Sequence, residues 1–195
     1  MALFPRLKSI RYSRPESMTM KSIVLRTSFA TMGKKRLKKK SIYPKRNLVL
    51  RYKNLTAADF KTLRQFYVDN VGSIFTFIHD EVDYYRDEYV ATGDGSTTVL
   101  TLPCKGATAC SLYADGSELT GGGTDWTLAT GAGPDGEDTA TLATSDGTLG
   151  KRYTCRFNGR LRMRCTFADD SANLEVLYSH WKRFGIGLEG FLNDE

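Results

Sequence analysis

Apolar positions in LTAADFKTLRQFYVDNVG, residues 55–72, recur at helical spacing: Phe60, Leu63, Tyr67 and Val71 form one stripe with Phe66 at its border. Thr56 stands where an N-cap is needed, Asp59 three residues on serves as its capping-box partner, and Gly72 supplies a stop. The pattern therefore predicts a helix over 56–71, with Leu55 placed to staple onto Phe60 and with Lys61, Arg64 and Asp69 on the polar side. Elsewhere the period is two. IVLRTSF (23–29) and NLVLRY (47–52) read as strands, and SIFTFIHD begins another with Phe75 and Phe77 on one face and Thr76 and Ile78 on the other.

From residue 91 the composition shifts to Gly, Thr, Asp, Ala and Ser. ATGDGSTTVLTLP, ACSLYADGSELTGGG, TDWTLAT and DTATLAT read as four short strands, with Asp115-Gly116 a tight hairpin turn. KRYTCRFNGRLRMRCTF (151–167) puts Tyr153, Cys155, Phe157, Leu161, Met163 and Cys165 on one face. Arg152, Thr154, Arg156, Arg160, Arg162 and Arg164 fall on the other, and Asn158-Gly159 predicts a turn between two strands with an arginine-rich outer face. LEVLYSHWKRFGIGLEGFL is apolar throughout and suits a short helix followed by a final strand through Ile186, Leu188 and Phe191, but periodicity alone leaves its type open. The sum is a mainly β protein with one packed helix: a β-barrel or sandwich from 1–90 plus 151–195, carrying a small all-β insertion at 91–150.

Charge sharpens this division. Residues 1–54 hold sixteen Lys or Arg against the single Glu16, whereas 91–150 hold only Lys105 against eight acids. The densest basic run, GKKRLKKK, places Lys34, Lys35, Arg36, Lys38, Lys39 and Lys40 between two predicted strands, as a hairpin connection or an extension of its strands. Such a run flags nucleic acid in isolation. Here it lacks a recognition-helix motif and interleaved aromatics, and the chain carries a compensating acidic segment.

Catalytic chemistry leaves no trace in the pattern. Cys104, Cys110, Cys155 and Cys165 lack zinc spacing and read as buried, reduced thiols of a protein made in the cytosol. His79, beside Asp80, Glu81 and Asp83, has no second histidine at ligand spacing and reads as part of a solvated turn; His180 reads as a packed neighbour of Trp181. The glycines of TGDGS, TGGGT and TGAGPDG meet neither phosphate-cradling motif, and no GxSxG or HExxH occurs. No catalytic, metal or cofactor site is expected. Tyr84, Tyr85, Tyr89 and Trp126 offer a candidate sugar platform, with Trp126 its most specific member. The N-terminal residues lack a signal peptide's apolar core, and no segment approaches a membrane span, so a soluble, non-secreted protein is expected.

PKRNLVLRYKNLTAADFKTLRQFYVDNVGSIFTF follows the basic run with a strand, an LT-type helix start, a Leu-xx-Phe helix face, Gly, and an aromatic-x-Phe strand. YVATGDGSTTVLTLP then looks like the GDGSTT opening of β-modules in phage tail proteins. Together they resemble the distal tail protein and related minor tail proteins of long-tailed phages, including gene-transfer-agent relatives. That resemblance implies a structural virion protein without an active site, a belt domain forming a hexameric ring between the tail tube and the tip or baseplate hub. Its implied neighbours are the tail tube protein, the hub and the tape measure protein. Genome DNA passes through such a ring without specific binding, and assembly takes place in the host cytoplasm. The alternatives are a carbohydrate-binding tail adhesin, a terminator or stopper ring, and a basic nucleic-acid-binding protein.

In a ring of six the basic run supplies on the order of thirty-six positive charges to one annulus. Lining the channel, they would grip DNA through released counterions. The run is therefore expected on an extended hairpin that docks on an acidic neighbour, an adjacent subunit or the tube end; the alternative is a solvated loop.

Overall fold

In chain order, the computed structural model has β1 (Ala2–Leu3), β2 (Ser17–Lys21), β3 (Val24–Ser28), β4 (Lys35–Lys39), β5 (Lys45–Leu55), α1 (Ala57–Asn70), β6 (Phe75–Thr92) and β7 (Val99–Thr101). These are followed by β8 (Cys104–Ala114), β9 (Ser117–Glu118), β10 (Trp126–Ala129), β11 (Thr139–Leu142), β12 (Arg152–Phe167), β13 (Asn173–Tyr178) and β14 (Trp181–Phe191). The structure describes residues 1–7, 17–21, 24–28, 35–39, 45–143, 149–168, 173–178 and 181–191. The fold is mainly β with a single helix, as the periodicity predicts, but its sheets are open and no barrel closes among the described residues. No described helix is long and apolar enough to cross a membrane.

The chain forms two compact units, one within Met1–Phe4, Ile74–Cys165 and Phe191–Glu195, the other within Pro5–Ser73 and Thr166–Gly190. The expected boundary at 91–150 is not where the chain divides. β8 hydrogen-bonds along β12 from Tyr153↔Ala114 to Leu161↔Cys104, so this strand of the segment belongs to the same sheet as β6 and β12.

In the first unit β12 is the central strand, antiparallel to β6 on one edge and to β8 on the other, while β1 runs parallel to the start of β6. β7, β10 and β11 make a second, three-stranded sheet. The expected turn at Asn158-Gly159 is absent: β12 runs straight through it, with Gly159 paired to Asp83. Tyr153, Cys155, Phe157, Leu161, Met163 and Cys165 are buried as the alternation requires, but Arg162 is buried too, so the outer face is not uniformly exposed arginine. Phe157 stacks on Tyr85 at 5.1 Å, and Phe4 meets Phe77 edge-on at 5.4 Å. The Asp115-Gly116 expectation holds in detail. Positive φ at both residues (48° and 86°) closes a two-residue turn between Tyr113↔Glu118 and Ala114↔Ser117, the geometry that matches strand twist.

In the second unit β14 lies between β13 and β5, and β2 pairs the other edge of β5. The register sets Leu48 against Leu188, Leu50 against Ile186 and Tyr52 against Phe184, all buried, so these cross-strand pairs form its core. The C-terminal segment holds no helix among its described residues; 173–178 and 181–185 are antiparallel strands. α1 begins as predicted. The Asp59 amide donates to Thr56 Oγ1 at 3.1 Å, and that hydroxyl donates to Asp59 Oδ2 at 2.7 Å. It ends where Gly72 takes φ +76°. Of the stripe, Leu63 is fully buried, Phe66 and Tyr67 meet Phe167 at 6.2 and 4.9 Å, and Val71 is exposed.

Candidate assembly surface

The described part of the basic run is a strand distinct from β5. Lys35, Arg36, Lys38 and Lys39 occupy four of the five positions of β4, which pairs with β3 from Ser28↔Lys35 to Val24↔Lys39; Lys34 and Lys40 lie outside the described residues. Among the described residues β3 and β4 form a two-stranded sheet of their own. A ribbon of two strands is marginal in water unless something packs on it.

The acids of 91–150, expected to form the matching surface, are largely occupied in holding their own loops. Asp94 accepts the Ser96 and Thr97 amides and the Thr97 hydroxyl, which hold its carboxyl well below the usual range. Asp115 accepts the Arg152 amide and Asp125 that of Thr120. Asp138 is fully buried. It accepts the amides of Gly106 (3.1 Å), Ala107 (2.7 Å) and Gly131 (2.8 Å), tying the loop before β11 to a bulge in β8. Glu137, also buried, accepts the Asp135 amide at 2.7 Å and lies 3.6 Å from the buried Arg162 guanidinium, with Asp135 at 3.8 Å from the same group. These carboxylates act as fasteners: each accepts backbone amides or lies beside the buried Arg162 guanidinium.

A denser run of exposed acids sits on the middle of β6. DEVDYYRDE, residues 80–88, has five acids against Arg86, a density that local counting reveals and that the larger window over 91–150 hides. Asp80, Glu81, Asp83 and Asp87 are exposed, as are Val82 (56%) and Tyr84 (51%), so successive positions on both faces of the strand meet solvent. Two irregularities bracket this stretch. Residues 79–81 stand opposite Leu161 alone, and 86–87 stand opposite Arg156 alone, with Asp87 at φ 53°. Such bulges bend a strand and limit pairing along its edge. Asp87 accepts from Arg156 at 3.0 and 3.1 Å across the second bulge. In the first, His79 is buried and its Nδ1 accepts the Glu81 amide at 3.3 Å, so the expected solvated turn is a packed bulge.

Trp126 does not serve a sugar platform. It is 4% exposed, and its indole N–H donates to the Leu119 carbonyl at 3.3 Å, leaving neither a free face nor a free donor for a glycan. Tyr85 and Tyr89 are half-buried, and Tyr84 lies under the Arg86 guanidinium at 5.2 Å. Cys104, Cys155 and Cys165 are buried free thiols and Cys110 is half-buried. His180 lies outside the described residues. No family model matches the chain, and no curated protein matches it.

Proposed function

We propose that this chain is a structural subunit of a ring at the distal end of a long phage tail, joining the tail tube to the tip or baseplate hub, with no catalytic role. The observation that carries this reading is the separation of charge onto two different strands: a ribbon strand with four basic residues in five, and a β6 segment with five acids in nine, four of them exposed. Opposite charges held on separate strands of one chain suit repeated head-to-tail contact between copies, the arrangement that closes into a ring. The mainly β fold with one capped helix and the order of tail-protein motifs agree with it. In this reading six copies form the ring, the tail tube, hub and tape measure proteins are its neighbours, and the basic strand faces protein so that DNA slides past. The protein resides in the virion tail tip after assembly in the host cytoplasm.

Native mass spectrometry and negative-stain imaging, with the chain alone and with the tail tube protein, test this directly. A six-membered ring is expected in at least one of the two. A monomer in both that binds DNA with an affinity falling steeply with salt overturns it.

A further inference from the structure

We infer that the β3–β4 ribbon of one copy docks on the exposed acidic middle of β6, around Glu81 and Asp83, of the next copy. The inference rests on the ring reading and names its contact. Three observations lead to it. The ribbon has no third strand among the described residues, and an isolated two-stranded ribbon needs a packing partner. Its strand β4 carries Lys35, Arg36, Lys38 and Lys39, a composition that discourages pairing with its own kind and selects an acidic surface. Asp94, Asp115, Asp125, Glu137 and Asp138 of 91–150 accept backbone amides, whereas Glu81 and Asp83, the latter accepting the adjacent Tyr84 amide, stand in one run of exposed acids with Asp80 and Asp87.

The β6 segment also has the shape for a short docked strand. Val82, Asp83, Tyr84 and Tyr85 pair regularly with Arg160, Gly159, Asn158 and Phe157 between the two bulges. Among the described residues β1 covers the other edge of β6 only at Phe75 and Thr76. Val82 and Tyr84 add exposed apolar area beside the charges, and an interface needs such anchors because rim charges alone mainly steer and select. The contact is head-to-tail. Each copy gives its ribbon to one neighbour and receives a ribbon from the other.

Charge reversal tests the pairing. A ribbon variant (K35E, R36E, K38E, K39E) and a strand variant (E81K, D83K) are each expected to self-associate at least about tenfold more weakly than the unchanged chain in sedimentation velocity. Mixed one to one they should assemble again, because each variant ribbon then meets a variant strand of opposite sign in an alternating ring. Circular dichroism checks that both fold, and K38Q with K39Q is the milder ribbon variant if the fourfold reversal does not fold. It should weaken association in the same direction. Rings that form undiminished from either variant alone, or a mixture that stays apart, overturn the docking pair while the ring reading stands. An unchanged chain that never forms a ring, alone or with the tail tube protein, overturns both.

Discussion

Gly159 lies against Ala107: a Cβ at residue 159 would stand 3.1 Å from the Ala107 Cα and 3.5 Å from the Gly106 carbonyl oxygen. The contact arises because Gly106, Ala107 and Thr108 together oppose Gly159, so the β8 bulge swings its backbone against the middle of β12. A backbone neighbour cannot move aside as the end of a flexible side chain does. Gly159→Ala should therefore destabilise the first unit by about 1–3 kcal/mol, read as a lowered urea midpoint with an unchanged slope. An unaltered midpoint would show that the two strands separate easily at this point.

The same glycine explains what the sequence made legible and what it hid. Asn-Gly is the strongest short-range hairpin signal, yet here Gly serves close approach between strands rather than a positive φ. The contrary signal was present. In a two-residue hairpin the residues flanking the turn share a face, which would set Phe157 beside Arg160; the odd-numbered apolar series from Tyr153 to Cys165 instead keeps one phase throughout. Local rules succeed where one short segment decides the outcome, as in the Thr56 cap and the Asp115-Gly116 turn. They fail where a distant strand does. The partners of Asp138, Glu137 and Arg162 are set by β8 and β12, and the exposure of Glu81 and Asp83 by which strands leave β6 uncovered. The run from Leu174 to Phe184 suits either a buried helix or a strand, and pairing with its own hairpin partner settles it as strand.

Asp138 is expected to be the most sensitive acid in the described part of the first unit. Removing its carboxylate leaves the Gly106, Ala107 and Gly131 amides without their acceptor, and each buried unsatisfied donor costs about 1–3 kcal/mol. Asp138→Ala should thus lower stability by more than about 3 kcal/mol. Asp138→Asn keeps one oxygen and should recover part of this, at the expense of either the Ala107 bond or the Gly106 and Gly131 pair. Hydrogen exchange distinguishes the two, since the orphaned amide loses protection first.

Thr56 predicts a local effect. Its hydroxyl accepts the Asp59 amide, and α1 is anchored by one fully buried residue, Leu63, so the cap is a large share of what holds the first turn. Thr56→Ala should cost about 1 kcal/mol, while Thr56→Ser retains most of the stability. The check is faster exchange of the Asp59 and Phe60 amides in the alanine variant alone. Equal exchange in both variants would place the helix start under control of the chain around it.

Alkaline pH should act through the thiols. Burial, with the Asp138 charge adding to it, pushes Cys110 from its ordinary 9.0 up to about 11, and burial takes Cys165 up to about 12. Below pH 9 both states keep these protons and the thiols give no pH dependence. Between pH 9 and 11 the unfolded chain releases the Cys110 proton while the folded chain holds it, so the unfolded state binds fewer protons and stability falls as pH rises. Lysines and tyrosines titrate in the same range, so the measurement is the difference between the unchanged chain and Cys110→Ala. The urea midpoint of the unchanged chain should fall more steeply from pH 9 to 11, and the two curves should run parallel below 9. Parallel curves through the whole range would mean that the Cys110 thiolate is solvated in the folded protein and that the β8 edge opens to water at that residue.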